Sequence, residues 1–415
     1  MAPIPSVLRI PGFRRFWLAS LASNCGSWLQ IVASGWLILR LTGSPAAVGA
    51  LALVARGPAF VLSTFGGQLA DRYDRRVIGI WTFALQGVAA AGMAVMSALG
   101  VLGVWVIYVL TFALGVGFAL GLPAILATVP ALVPAERLSQ AVSLNAAGIN
   151  VARFAGPAIG GGLFAWLGPT WCFAVNATSF LALIWVLARV DLREHGTRGR
   201  GVAMRAALSV ARHDPGIRRL LLGMTGFAAF ASPIQELAPV VAERLGAGPG
   251  GLGILLGAMG GGALLGAWLL ERLHARGLRR GTALPLATMV FGVGMLALSA
   301  APVLAAGIAA MAFCGAFWIW LFIATNTAVQ LRSPLSMVGR MLGLYQLAVI
   351  GPIALGSLGA GILADLVGIR WSLAACAAVL VAAGGWGLAH PVPEIDAGRA
   401  PDPVSPAAPA APPPR

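Results

Sequence analysis

The chain has 415 residues, of which 59% are hydrophobic and only 10% are charged, and its mean hydropathy is +0.88. Soluble domains carry about 25% charged residues, so this composition excludes an ordinary soluble protein. The formal net charge of +15 does not indicate nucleic-acid binding, because the arginines lie mainly in short polar segments between long apolar runs.

The apolar runs predict transmembrane helices, because each is close to or above the roughly 20 residues that a helix needs to cross a bilayer. They are continuous rather than alternating, which disfavours a transmembrane β-barrel. Twelve spans are predicted, at approximately 14–39, 46–69, 77–98, 102–130, 138–164, 168–189, 218–242, 250–270, 281–300, 303–330, 337–363 and 367–389.

The first span contains Asn24, and the fifth contains Asn150. An amide side chain inside a span either lines a cavity or forms a hydrogen bond that bridges two helices. Both readings stay open here, and both residues are candidates for contact with a substrate or a charged partner.

A charged loop that begins with glycine, GGQLADRYDRR, lies between the second and third spans. Arginines recur on this side of the chain, whereas the opposite side keeps only Arg40, Arg244 and Arg370. Cytoplasmic loops of membrane proteins are enriched in arginine and lysine, so both termini are predicted to be cytoplasmic.

Small residues recur at intervals of four along the fifth span, which places them on one helix face that another helix can approach closely. A proline in this ribbon frees a backbone carbonyl and permits a bend. The residues are Gly148, Ala152, Gly156, Pro157, Gly160 and Gly161.

Three charged residues lie clearly within spans: Arg56 in the second, Arg153 in the fifth and Glu236 in the seventh. A charge at a helix centre costs about 2.5–3.5 kcal/mol on insertion scales, so each is a functional candidate. Glu236 either carries a coupling proton or is a static partner of Arg56 or Arg153. The two arginines bind an anionic substrate group or act as charge partners of Glu236.

The sequence aligns with itself after a shift of 200 residues: Gly66 and Arg72 fall on Gly266 and Arg272, and Gly168 and Trp171 fall on Gly368 and Trp371. The fold class predicted is therefore an all-α polytopic membrane protein with twelve transmembrane helices in two parallel six-helix halves. The predicted division is 1–190 for the first half, 191–217 for a cytoplasmic linker, 218–390 for the second half and 391–415 for a disordered cytoplasmic tail.

With a Gly-x-Leu-Ala-Asp-Arg loop after its second span, this twelve-helix chain resembles the major facilitator superfamily. Its first span, with Asn24, Trp28, Gln30 and Trp36 before Leu41-Thr42-Gly43-Ser44-Pro45, resembles a bacterial exporter branch that includes the enterobactin exporter and macrolide efflux proteins. The resemblance implies a conformational latch in the loop, formed by Gly67, Asp71, Arg72, Arg75 and Arg76. It implies that the ribbon of the fifth span is an antiporter motif typical of export. Thr111 departs from the family pattern, in which exporters often carry arginine at that position.

The sequence thus predicts a secondary transporter that exports a small amphipathic compound, such as a drug, siderophore or secondary metabolite, by alternating access and proton antiport. The alternatives are an ion-coupled importer of a small metabolite and a non-transporting membrane sensor. We expect a monomer in the bacterial inner membrane whose partners are a small-molecule substrate, protons and the lipid bilayer. An enzyme, a metal site and a cofactor are not expected, because the spans offer one acid and no histidine.

Overall fold

The computed structural model describes residues 6–72, 74–189, 204–275, 280–334 and 337–390. The regular structure of these residues is helical. Its α-helices are α1 (Pro11–Thr42), α2 (Pro45–Arg72), α3 (Arg75–Ala98), α4 (Val104–Leu132), α5 (Leu138–Leu167), α6 (Pro169–Arg189), α7 (Met204–His213), α8 (Pro215–Ala231), α9 (Pro233–Glu236), α10 (Ala238–Arg244), α11 (Gly248–Ala275), α12 (Arg280–Ala300), α13 (Leu304–Arg332), α14 (Val338–Val367) and α15 (Ile369–Ala389).

Within the described part of the chain, nine helices are long and apolar enough to cross a membrane, and α8–α9 with α10 forms a bent pair that counts as a tenth. The two other long helices, α1 and α5, have 32 and 30 residues, so their length also suffices to span a bilayer. Both bury polar or small side chains against neighbouring helices, for example Gln30 in α1 and Gly156 in α5. Their lower hydropathy therefore fits their position inside the bundle.

The seventh predicted span differs from its prediction, because it is not one continuous helix. The chain breaks at Ser232 and again at Leu237, and the two parts meet at an angle of 46°. Pro233 is the first residue of α9 and Pro239 the second of α10, and each lacks the backbone N–H that would continue the preceding helix. The break places Glu236 at a helix end.

The duplication is confirmed by the helix bounds. In each half the last three helices begin and end at positions that differ by 200: Val104–Leu132 and Leu304–Arg332, Leu138–Leu167 and Val338–Val367, Pro169–Arg189 and Ile369–Ala389. Even local contacts recur at this spacing. Cys172 donates to the carbonyl of Gly160, and Ser372 donates to the carbonyl of Ala360.

Each set of six spans packs mainly on itself. In the first set, α1 packs on α5 and α6, α2 packs on α4, and α3 packs on α4 and α6. In the second set, α11 packs on α13, α12 packs on α13 and α15, and α14 packs on α8 and α15. The largest contacts between the halves are those of α2 with α14 and of α5 with α11, and smaller ones join α1 to α10 and α11 and α2 to α9. The domain limits at 190, 217 and 390 stay a prediction, and residues 190–203 and 391–415 lie outside the described residues.

We call the end of the bundle where α6 stops and α8 starts the linker end, and the opposite end, where α1 stops and α2 starts, the far end. The halves meet closely at the far end. A Cβ on Gly161 of α5 would lie 2.6 Å from the Cα of Gly253 of α11, and a Cβ on Gly49 of α2 would overlap the backbone of Ser357 of α14. Glycine is therefore required on both crossings, and the structure is closed at this end.

Candidate functional site

An ion pair joins the two halves near the middle of the bundle. Arg56 lies near the centre of α2, and Glu236 ends α9 beside the break in the seventh span. Their Nη2 and Oε1 atoms are 2.5 Å apart, and the side chains are 31% and 13% exposed. Of the two partners that the sequence left open for Glu236, the structure selects Arg56.

The third charged side chain, Arg153 of α5, lies near this pair but outside it. Arg153 is close enough to Arg56 for their like charges to interact. It borders a cavity of about 10 Å³, room for about one water, together with Trp28, Gln235 and Trp318. Two guanidinium groups and one carboxylate therefore converge with two indole rings between the halves, and their summed charge is positive.

The small-residue ribbon of α5 packs against α1. A Cβ on Gly156 would lie 2.6 Å from the Cβ of Trp28, and a Cβ on Gly160 would lie 2.9 Å from the Cα of Leu29. Gly148, Ala152, Pro157 and Gly161 are buried as well, Gly161 against α11. This close approach fixes Trp28 next to Arg153, which links the ribbon to the charged cluster.

The two candidate asparagines bond to their own helices. Asn24 donates to the carbonyl of Ser20 at 2.7 Å, and Asn150 donates to the carbonyl of Ala146 at 3.0 Å. Neither of these bonds bridges two helices or reaches the ion pair, so the structure does not bring the asparagines together with Arg56 and Glu236.

The backbone of the loop motif forms the end of α2, at Arg72, and the start of α3, at Arg75. The side chains of Gly67, Asp71, Arg72 and Arg75 lie outside the described residues, so the latch stays a prediction. Arg76 is described, and its guanidinium donates to the carbonyl of Ala188 at the end of α6. Asp74 caps α3 by accepting from the backbone N–H of Arg76 at 2.8 Å.

Three residues of interest were missed from the sequence. Gln235 and Trp318 border the cavity of Arg153, and Asp365 of α14 accepts from Ser44 at the start of α2. The pair of prolines at 233 and 239 was a usable signal for a break next to Gln235. Asp365 lies two residues before the end of α14, but it lies just beyond the predicted span 337–363 and was therefore read as an ordinary loop charge.

Comparisons with known proteins agree with this architecture. The family described as transmembrane secretion effector, a branch of the major facilitator superfamily, matches residues 2–410. The enterobactin exporter of Salmonella choleraesuis is 30% identical over 364 residues, covering 84% of this chain and 86% of that protein. The enterobactin exporter of Escherichia coli O1:K1 is 29% identical over 366 residues, with the same coverage.

Solved structures with little sequence identity share the fold. A bacterial homologue of the human lysosomal transporter Spinster, in an inward-facing and unoccupied conformation, aligns with a TM-score of 0.73 at 14% identity and covers 93% of this chain and 97% of its own. A POT family transporter in complex with 5-aminolevulinic acid aligns with a TM-score of 0.75 at 12% identity, covering 93% and 96%. With its repeated six-helix halves and its match over residues 2–410, the chain belongs to the transmembrane secretion effector family of the major facilitator superfamily.

Proposed function

We propose that this protein exports a small amphipathic compound across the bacterial inner membrane by proton antiport. The observation that carries the proposal is the ion pair between Arg56 and Glu236, because it joins the two halves that must move relative to each other. Protonation of Glu236 would leave the charge of Arg56 without its partner, so the protonation state of Glu236 affects the stability of this contact.

In the state open at the far end, where Arg56 and Glu236 would be apart, Glu236 would take up a proton from outside as the substrate leaves. Return to the state closed at the far end would bring Arg56 back to Glu236, which favours the carboxylate and releases the proton to the cytoplasm. A group that binds a proton in one state and releases it in the other couples the proton gradient to alternating access.

The residues that border the cavity beside Arg153 suit an amphipathic substrate. Trp28 and Trp318 offer flat apolar surfaces, while Arg153 and Gln235 offer hydrogen-bond donors beside them. The positive charge of the cluster favours a compound with an acidic or hydrogen-bond-accepting group. Because relatives are named enterobactin exporters, enterobactin is the first compound to test, followed by a panel of drugs and dyes.

Export rather than import is supported by those relatives and by the glycine-proline ribbon of α5. The arginine distribution supports cytoplasmic termini, so the linker end would face the cytoplasm. The closed far end would then correspond to an inward-facing state in which substrate enters from the cytoplasm.

The test is substrate accumulation in an efflux-deficient bacterium that expresses the protein. Wild type should lower accumulation, and an uncoupler should abolish this effect. Glu236→Gln should accumulate as much compound as cells without the protein, because glutamine keeps the shape but cannot take up and release a proton. The matched control is Glu243→Gln, since Glu243 is 45% exposed and its contact with Arg40 spans 3.8 Å.

Export by Glu236→Gln at the wild-type rate would show that Glu236 is not the coupling group. Higher accumulation with the wild-type protein than without it would establish an importer instead. Expression of each variant in the membrane is quantified in parallel, so that lost efflux is not confused with lost protein.

A further inference from the structure

A large groove lies outside the charged site. It has a volume of about 740 Å³, within the range of roughly 300–1,000 Å³ typical of small-molecule pockets. Four helices border it: α2 from the first half, α8 and α14 from the second, and the linker helix α7. Its walls are almost wholly apolar. Thr225 is the one uncharged polar side chain among the described lining residues, and its hydroxyl donates to the carbonyl of Ala348 at 3.2 Å.

The groove opens toward the lipid rather than toward the space between the halves. Leu355 of α14 belongs to its lining and is 65% exposed. Ile362 and Leu366, seven and eleven residues further, lie on the same side of the helix. Both side chains are exposed as well. Because the halves are in contact at this level, the exposed side of α14 cannot face a space between them. It therefore faces the lipid, as exposed leucine and isoleucine on a span indicate.

The linker end of the groove is positively charged. Among the described residues that line the groove, the charged ones are Arg212 of α7 and Arg218 of α8, and both are exposed. Asp214, between them in sequence, does not neutralise them, because its carboxylate accepts from Arg332 Nε at 2.7 Å and from the N–H of Ile217 at 2.9 Å. Arg218 donates a long bond of 3.5 Å to the carbonyl of Arg212, which keeps the two residues close.

The linker helix α7 forms the end wall. Its Ala207 and Ala211 are buried, and the helix packs on α8 and α14. A short helix with alanines inward and Arg212 outward at the end of an apolar groove resembles an interfacial helix at the level of the lipid headgroups.

We propose that this groove binds an anionic phospholipid of the leaflet at the linker end, with an acyl chain along the apolar walls and the phosphate at Arg212 and Arg218. An arginine fork binds phosphate oxygens in bidentate geometry, and the groove continues directly into the hydrocarbon region. Because its walls come from both halves, the bound lipid would favour the state that is closed at the far end.

The test measures lipid retention by purified protein. The full chain is extracted in mild detergent, incubated with equal amounts of phosphatidylglycerol and phosphatidylcholine, and analysed by native mass spectrometry. Wild type should retain one phosphatidylglycerol in preference to phosphatidylcholine. Each arginine near an anionic lipid surface contributes a factor of about five to binding, so Arg212→Gln/Arg218→Gln should weaken retention about 30-fold.

Two matched controls separate this site from general effects. Arg219→Gln removes the neighbouring arginine, which does not border the groove, and should retain lipid as wild type does. Gly57 borders the groove and Gly223 does not, and at both positions an added Cβ would meet nothing within 4 Å. Gly57→Leu should therefore reduce retention by filling the groove, and Gly223→Leu should not.

Equal retention of both lipids by wild type, or equal loss in Arg219→Gln and the double variant, would overturn the proposal. Displacement of phosphatidylglycerol by an exported compound would also overturn it, because the groove would then be an entry site for substrate. None of these outcomes depends on whether Glu236 couples a proton.

Discussion

At the scale of single residues, the structure turns three isolated membrane charges into one cluster. Arg56 and Glu236 neutralise each other across the halves, and Arg153 adds a positive charge beside them. An ion pair of this kind contributes less to stability than its short distance suggests, because both groups lose their hydration. Loss of one partner is costly, however, since the other charge is then buried alone.

Arg56 and Glu236 should therefore show strong coupling in a double-mutant cycle. We expect Arg56→Gln to lower the free energy of unfolding by about 1–3 kcal/mol, because it leaves the carboxylate of Glu236, which is only 13% exposed, without its charged partner. The double variant Arg56→Gln/Glu236→Gln should recover most of this loss. The measurement is the thermal unfolding of the four proteins in detergent. Additive losses would mean that the two side chains do not stabilise each other.

Thr111 of α4 occupies a position at which related exporters often carry arginine. Its side chain is buried in α4, and its hydroxyl has no hydrogen-bond partner among the described residues. The family resemblance implies an arginine at this position in many exporters. Here Arg56, on the adjacent helix α2, supplies a cation near the middle of the same half.

At the scale of helices, close crossings determine which movements are possible. The α5 ribbon packs on α1 through Gly156 and Gly160, and on α11 through Gly161. The first contact lies within one half and the second lies between halves. Small residues thus serve both for rigidity inside a half and for close contact at the far end.

Gly161→Ala should weaken the contact between α5 and α11. Its Cβ would lie 2.6 Å from Gly253 Cα and 2.7 Å from the carbonyl oxygen of Pro249, which are backbone atoms that side-chain rotation cannot relieve. Overpacking of this kind costs about 1–3 kcal/mol, so the unfolding temperature in detergent should fall. The control is the adjacent Gly162→Ala, whose Cβ would meet nothing within 4 Å. It should be neutral or slightly stabilising, because alanine favours a helix over glycine by about 0.5–1 kcal/mol. Equal effects of both changes would contradict the proposed contact.

At the scale of the whole molecule, the chain is a multi-pass membrane transporter of the major facilitator superfamily in a state closed at the far end. Asp365 adds a polar contact to this closure. Its Oδ2 accepts from Ser44 Oγ at 2.7 Å and from the backbone N–H of Ala46 at 3.2 Å, so a carboxylate of one half lies at the N-terminus of α2 in the other. A negative charge at a helix N-terminus is favourable by about 0.3–1 kcal/mol.

Asp365→Ala should shift the conformational equilibrium toward a state open at the far end. The loss of about 1 kcal/mol corresponds to a change of roughly fivefold in the ratio of the two states. Spin labels at Leu41 and Leu366, which are 50% and 77% exposed, would report the distance between the halves. Arg40→Gln serves as the control, since its ion pair with Glu243 is exposed and 3.8 Å long. An unchanged distance distribution in Asp365→Ala would contradict a role for this contact in closure.

The sequence by itself determined the helices, the duplication and the family. Hydrophobic runs and a repeat at 200 residues are local or periodic signals, and the helix bounds of α4–α6 and α13–α15 follow that repeat. The same local signals identified Arg56, Arg153 and Glu236, because a charge in an apolar span stands out without any knowledge of its partner.

Only the tertiary structure decided the pairings. Arg56 and Glu236 are 180 residues apart, and Ser44 and Asp365 are 321 apart, so no spacing rule connects them. The break at Ser232 and Leu237 and the packing of α2 on α14 determine which charges meet. Helix formation depends on neighbours within a few residues, whereas an ion pair between halves depends on how the packed surfaces of the two halves fit together.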